Sequence, residues 1–543
     1  MVMFGVSGNL RFYTKEFIQK SYLFYFSGKI LFLQNFFETM KPILSLFILL
    51  YFINFKAQLY PKGNEFTLAM YAVKNPNISD DTAYENASVE IANIGWNTAH
   101  FYKEEPYSAT QLESKTTTLP YLQMNASHSL NVMGRLGYFR DNFGELLKYP
   151  IDLNNLKNNI LAIKNEPNIA WWDMPEELRY WKTSEFNMLK NYRLLLRTTI
   201  GDDKPIFMYI PGYYSETQTT PYLDYIDIVP ASCYVSVPTM KKRNYVRWNI
   251  EKTQNTIINS GKIIGKNYLT GEKSVFAILE MYNTCSGLSS LAAKHDFWMA
   301  VACDVKGILI FSYPYHFNTN CGDAWLSYNQ QISIFKNYSI DRVLLDGITA
   351  NSSLTCTLIS GPSTISPYNY TAGNTTTPLI ETSTVKTNIK TYNGKKYLFM
   401  VNSSEDSVVS YNVGGLTSTS TIKEIFSGVT SNVSTPDFDV TLNPLEAKVF
   451  IIESTTVLNT SEQNEKANKL ILYPNPNKGD FYINFPKNNN EKIEISVSDY
   501  SGRTVMTSKT STNTISLKNI KPGNYFLSFY YNNILNHVPL IIE

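Results

Sequence analysis

From residue 62 to about residue 338 the chain alternates between two hydrophobic rhythms. Short apolar, β-branched or aromatic runs recur eight times: FTLAMYAV, NTAHFY, LNVMGRLGY, NIAWWDM, PIFMYIPGYY, YIDIVPASCYV, SVFAILEMY and GILIFSYPY. Between them lie longer stretches with apolar residues at three-to-four spacing. In one, Phe186, Leu189, Tyr192 or Arg193, and Leu196 follow Thr183 or Ser184 as candidate N-cap, and the pattern stops at Gly201-Asp202-Asp203-Lys204-Pro205. The first rhythm reads as strand and the second as helix. Repeated βα units make a parallel sheet. VFAIL and ILIF are apolar at consecutive positions, as expected where helices cover both sheet faces. Eight strands predict a closed (β/α)8 barrel, with an open doubly wound sheet as the alternative.

After about Asp341 the rhythm shortens to period two. KKYLFMVNSS, DSVVSYNVGG and EAKVFIIE are separated by Gly, Asn and Pro turns, which predicts an antiparallel β-sandwich over 341–454. The polar stretch 455–469, TTVLNTSEQNEKANK, reads as a linker. Residues 470–543 are again strand-rich and form a third, small β domain. At the other end, MKPILSLFILLYFINFKAQ places a Lys before an apolar run and Ala57 after it. The run is shorter than the roughly 20 residues a bilayer span requires, so 40–57 are expected to be a secretory signal peptide, with a non-cleaved anchor made of both apolar stretches as the alternative. Residues 1–39 are then an over-extended start. After cleavage no stable membrane span is expected.

At 543 residues the chain is too long for one core. Charged residues are 17% and the formal net charge is +2, so no strong field draws the protein to nucleic acid or anionic lipid. The aromatic share is 14%, including 38 Tyr and 7 Trp; such rings build cores and also stack on sugars. Five cysteines are too few for a disulfide framework, and no C-x-x-C pair points to zinc.

The tail LILYPNPNKGDFYINF, IEISVSDYSGRTV, LKNIKPGNYFLSF and PLIIE resembles the type A sorting domain of the Bacteroidetes type IX secretion system. Pro474, Asn475 and Pro476 suit a turn before a strand, and Gly502 and Gly523 suit tight hairpin connections. The resemblance implies the type IX machinery as partner, export across the outer membrane and removal of this domain. The chain lacks the basic ending that many relatives carry.

In a (β/α)8 barrel the chemistry collects where strands end and βα loops begin. Glu176 and Glu177 lie just past the fourth run, and Glu280 ends VFAIL on the seventh. This layout resembles clan A glycoside hydrolases, which carry an acid/base Glu after strand four and a nucleophile Glu at the end of strand seven. Within EPNIAWWDMPEEL, Trp172 stands at the family's Trp position and Glu177 at its Glu. Counting from Trp171 gives the role to Glu176 instead. Glu166, Asp173 and Leu178 replace the family's His, Tyr and Pro.

Glycosidic cleavage needs a proton for the leaving oxygen and a carboxylate or activated water at the anomeric carbon. A Glu beside another carboxylate, with limited hydration, holds a proton well. Glu280 needs compensation to stay ionised, for which Arg135 and Tyr209 are candidates. Strand neighbours alternate faces, so one of Trp171 and Trp172 points inward and the other toward the helices. Trp96, Trp181, Trp298 and Trp325 are further stacking candidates. His100, Glu104 or Glu105, Asp173, Tyr282, Tyr313 and His316 follow strands and are candidates to line a sugar subsite. Cys285 and Cys321 fall in loops after strands seven and eight, neighbours at one face, and are a candidate bridge; two unpaired thiols are the alternative.

Five His without H-x-H or H-E-x-x-H spacing argue against a hydrolytic metal. The barrel region has no G-x-S-x-G turn and no phosphate-binding glycine loop, and no cofactor is expected. The resemblance implies a retaining hydrolase acting on a glycan or polysaccharide. A secreted, non-catalytic carbohydrate-binding or adhesive protein with an inactive barrel is the alternative.

Overall fold

The computed structural model describes residues 65–80, 82–100, 119–136, 153–235, 242–454 and 471–542, with short interruptions within the last two stretches. The expected signal peptide and over-extended start, the linker, Glu104, Glu105, the 474–476 turn and Gly502 lie outside the described residues. Among the described residues no helix is long and apolar enough to cross a membrane.

All eight apolar runs contribute strands to one closed parallel barrel: β1 (Thr67–Met70), β2 (Thr98–Ala99), β3 (Asn131–Arg135), β4 (Ile169–Asp173), β5 (Ile206–Phe207), β6 (Ile228–Cys233), β7 (Ser274–Glu280) and β8 (Gly307–Phe311). β8 closes the ring on β1, with Ala69 opposite Leu309. Along each strand alternate residues enter two different cores. Phe276 and Ile278 of β7 join Trp171, Phe207 and Leu309 inside the barrel, while Val275, Ala277 and Leu279 face the helices. Strands apolar on both faces therefore read as continuous runs.

Between β3 and β4 the register slips by one residue: Val132 pairs with Ile169, but Met133 pairs with Trp171. Such a bulge re-aims the residues beyond it. Past it, Trp171 points inward and Trp172 outward, as alternation requires. Trp172 lies against Gly134, where an added Cβ would stand 2.8 Å from the indole.

The helix after β4 runs Thr183–Leu194, continues as a π turn to Ile200 and stops at Gly201 in the left-handed region. Its N-cap is Lys182, not Thr183 or Ser184, and no side chain caps it. Instead Glu185, in the first turn, accepts from the Arg179 N–H and guanidinium, drawing the preceding loop onto the helix.

The antiparallel strands that follow build a five-stranded sheet, in spatial order Val385–Tyr392, Lys395–Asn402, Ala447–Ser454, Ser420–Glu424, Thr430–Val433. A three-stranded sheet of Asp437–Leu442, Val409–Gly414 and Thr355–Ser360 accompanies it. Leu398, Met400 and Phe450 share one core with Val409, Val413 and Leu442 of the smaller sheet. The opposite face, with Phe399, Val401, Val449 and Ile451, joins the barrel's outer core. Trp298, on the helix Ser290–Ala302, meets Phe426 edge-on at 5.0 Å. Barrel and sandwich form one compact unit, and residues from Ser454 onward form another. The latter has a three-stranded and a four-stranded sheet around Phe481, Ile495, Val497, Leu527 and Phe529.

Candidate active site

Arg135 and Asp173 end β3 and β4, and Tyr71, His100 and Tyr209 follow β1, β2 and β5 by one or two residues; all five are polar or polar-tipped. His100 Nε2 lies 2.9 Å from Asp173 Oδ2, and both side chains are fully buried. The His100 and Tyr71 rings stand 4.4 Å apart. Burial pushes the Asp173 carboxyl up to about 7, with the positive charge of Arg135 opposing. Burial, aided by Arg135, holds His100 well below the usual histidine range. Below about pH 7 the pair therefore carries its proton on the carboxyl beside a neutral imidazole. Asp173 Oδ1 is buried and has no hydrogen-bond partner among the described residues.

Glu176 and Glu177 join this group from the loop beyond β4. Burial raises the Tyr71 phenol well above its ordinary value, and Asp173 and Glu176 add to the rise. At Tyr209 the order is desolvation, then the charge of Glu177, with Glu176 contributing less. Both glutamates are half-buried. Glu177 has φ 55°, a left-handed conformation uncommon outside glycine, and its N–H donates to the Tyr209 carbonyl at 3.1 Å.

Glu280 ends β7 in a second charged group. Arg243 Nη1 donates to Glu280 Oε1 at 2.9 Å and to Asp296 Oδ2 at 2.7 Å, while Nη2 donates to the Gly287 carbonyl at 2.6 Å. Burial works against the charge on Arg243, but Asp296 and Glu280 outweigh it and push the pKa above its ordinary value. The Tyr328 hydroxyl donates to the Glu280 carbonyl at 3.0 Å, and His295 Nδ1 lies 2.8 Å from Asp296 Oδ1.

The structure thus gathers His100, Arg135, Asp173, Glu176, Glu177 and Tyr209 with Tyr71, which the sequence reading did not single out. Trp171 is fully buried, 5.7 Å from Phe276 and 6.1 Å from Phe207, and forms part of the floor of the mouth. Trp172 and Tyr313 are fully buried in the layer between strands and helices, apart from this group. Tyr313 donates to Glu90 Oε2 at 2.5 Å, and His316 stacks on Trp325 at 4.6 Å. Tyr282 is 41% exposed and packs on Phe311 and Tyr315. Trp181, 51% exposed on the loop after β4, lies 5.6 Å from Tyr214 of the loop after β5. Cys285 and Cys321 form a disulfide between the loops after β7 and β8. Among the described residues no three His, Cys, Asp or Glu side chains group closely enough to hold a metal ion.

The fold is that of a (β/α)8 barrel with polar groups converging on its C-terminal mouth. Residues 471–543 match the family described as the secretion system C-terminal sorting domain, which directs the chain through type IX secretion to the cell surface or beyond. No curated protein sequence matches the chain. Among solved structures it is similar to the α-amylase of Geobacillus thermoleovorans, at 10% identity and TM-score 0.46, over 72% of this chain and 99% of that one. It is also similar to a β-L-arabinopyranosidase of Geobacillus stearothermophilus, at 9% identity and TM-score 0.45, over 74% of this chain and 100% of that one. A third such structure is α-galactosidase I of Mortierella vinacea, at 11% identity and TM-score 0.44, over 72% and 97%.

Proposed function

We propose that the protein is a secreted glycoside hydrolase that cleaves glycosidic bonds in an extracellular glycan or polysaccharide by a two-carboxylate retaining mechanism. The observation that carries this reading is the convergence of Asp173, Glu176 and Glu177 with Arg135, Tyr71 and Tyr209 at the end of the barrel where such enzymes react. Glu177 is the proton donor: its strained backbone is the kind of outlier that collects at functional sites. Glu176 beside it adds the negative charge that favours retention of a proton. Glu280 is the nucleophile, and the Arg243 guanidinium complements its negative charge. Asp173 Oδ1 offers an acceptor to sugar hydroxyls, and Trp181 with Tyr214 offers a stacking surface at the rim.

In this mechanism Glu280 attacks the anomeric carbon as Glu177 protonates the departing oxygen. Water, deprotonated by Glu177, then releases the sugar from Glu280 with its configuration retained. Digestion of a broad glycan panel, read by mass spectrometry, is expected to find a cleaved substrate, and NMR of the first product is expected to show the substrate's anomer. Glu280→Gln and Glu177→Gln are each expected to lower turnover at least about 100-fold while binding persists. Binding without cleavage by the unaltered protein across the panel would replace the enzyme with a carbohydrate-binding barrel.

A further inference from the structure

Arg243 is gripped from three sides. Its guanidinium spans Glu280, Asp296 and the Gly287 carbonyl, as described above. Its own backbone N–H donates to Glu405 Oε1 at 2.6 Å, and Lys242 Nζ lies 3.4 Å from Glu405 Oε2. Glu405 belongs to the sandwich, on a loop that is itself fixed. Buried Asn402 donates to the carbonyls of Ser407 and Asn443, both at 2.9 Å, and accepts from the Ser404 N–H at 2.9 Å. Ser404 Oγ then bonds Asp406 at 2.8 Å. A tied loop of one domain thus sets the start of the helix Asn244–Asn259, where Arg243 is the N-cap.

We infer that Arg243 is a positioning residue for Glu280, and that Glu405 of the sandwich and Asp296 of the barrel hold it in place for that task. The inference rests on the reading in which Glu280 reacts. A guanidinium is a planar fork with fixed donor directions, so three acceptors around it fix both its position and its tilt. Asp296 is itself held by His295, which leaves one oxygen for Arg243. Displacement of a reacting group by about 1 Å costs on the order of 100-fold in rate. The groups set around the Glu280 carboxylate include Arg243, Asp296 with His295, Tyr328 and the buried thiol of Cys233. Arg243 is the one cation among these, and the sandwich sets its backbone.

The test uses the full-length protein and the substrate found by the glycan panel, with Glu405→Gln, Arg243→Lys, Asp296→Asn and Glu280→Gln compared by pH profile and by melting temperature. Glu405→Gln and Arg243→Lys are expected to lower kcat about 10- to 100-fold with KM nearly unchanged. In both, the acidic limb of kcat/KM moves to higher pH as the cationic head is displaced from the Glu280 carboxylate. Asp296→Asn lowers kcat, because the guanidinium loses one of the three acceptors that fix it. Glu405→Gln lies at the domain junction and leaves no buried charge behind, so it remains informative even if Arg243→Lys fails to fold. Unchanged kcat and limb in Glu405→Gln and Arg243→Lys, with Glu280→Gln inactive, overturn this inference and leave the hydrolase reading standing. A fall in kcat matched by a rise in KM with no movement of the limb marks general loosening and also overturns it. Wild-type rates in Glu280→Gln, or an inert wild type, overturn the hydrolase reading and this inference with it.

Discussion

Asp173 makes a large residue-level demand on the fold, because burial pushes its carboxyl from 3.8 up to about 7. Between those values the folded chain binds a proton that the unfolded chain has released. Stability contributed by this residue is therefore greatest at low pH and declines as pH rises toward 7, by an upper bound on the order of 4 kcal/mol. His100 acts in the opposite sense. Its folded-state pKa is lowered, so below the usual histidine value the unfolded chain takes up a proton that the folded chain refuses. Asp173→Asn removes the first effect. Its melting temperature relative to wild type is expected to climb by several degrees from about pH 5 to about pH 8; a flat difference would show that the carboxyl ionises normally. His100, Arg135 and Asp173 were legible as candidates because each is polar at the end of an apolar run. Arg243 and Asp296 were not, since a loop and a helix supply them and no periodicity marks either one.

At the level of elements, the strand order could be read because barrel strands carry two buried faces and their helices one. The bulge between β3 and β4 was invisible: it depends on how Val132 and Met133 pair with Ile169 and Trp171, which neither strand's own pattern records. The helix cap was misjudged for a related reason. Thr183 and Ser184 have the right chemistry for a cap, but Glu185 binds Arg179 and satisfies the preceding loop directly. The Cys285–Cys321 pairing could be proposed from loop position, because consecutive barrel strands bring consecutive loops together. The bridge spans a sequence separation of 36. Replacing both cysteines by serine is expected to cost about 2–4 kcal/mol of unfolding free energy in urea. A change below about 0.5 kcal/mol would mean that packing alone fixes the two loops.

Across the whole molecule, Phe399, Val401, Val449 and Ile451 lie in the same core as the barrel's outer layer, so barrel and sandwich are expected to unfold together. Residues from Ser454 onward have their own core and are expected to melt separately. Calorimetry should give two transitions, and deletion of 471–543 should remove one and leave the other at its original temperature. The same deletion should leave the protein in the periplasm on cell fractionation, because it removes the sorting domain. A joint shift of both transitions would contradict independence. The change to alternating strands was plain in the sequence, but its start was not: Ile340–Asp346, expected to open the sandwich, is a helix, and the first sandwich strand among the described residues begins at Thr355. The intimacy of the two domains was not plain either, because Tyr397 to Asn402 is a buried run that reads equally well as an ordinary sandwich strand.

That shared core also bears on ancestry. A module whose sheet doubles as the wall of its neighbour cannot be exchanged as a cassette: a recombination break between them would strip hydrocarbon from both sides of the cut. The sandwich is therefore expected to descend with the barrel as a single heritable block, while the sorting unit, whose interior is its own, is expected to tolerate such a break.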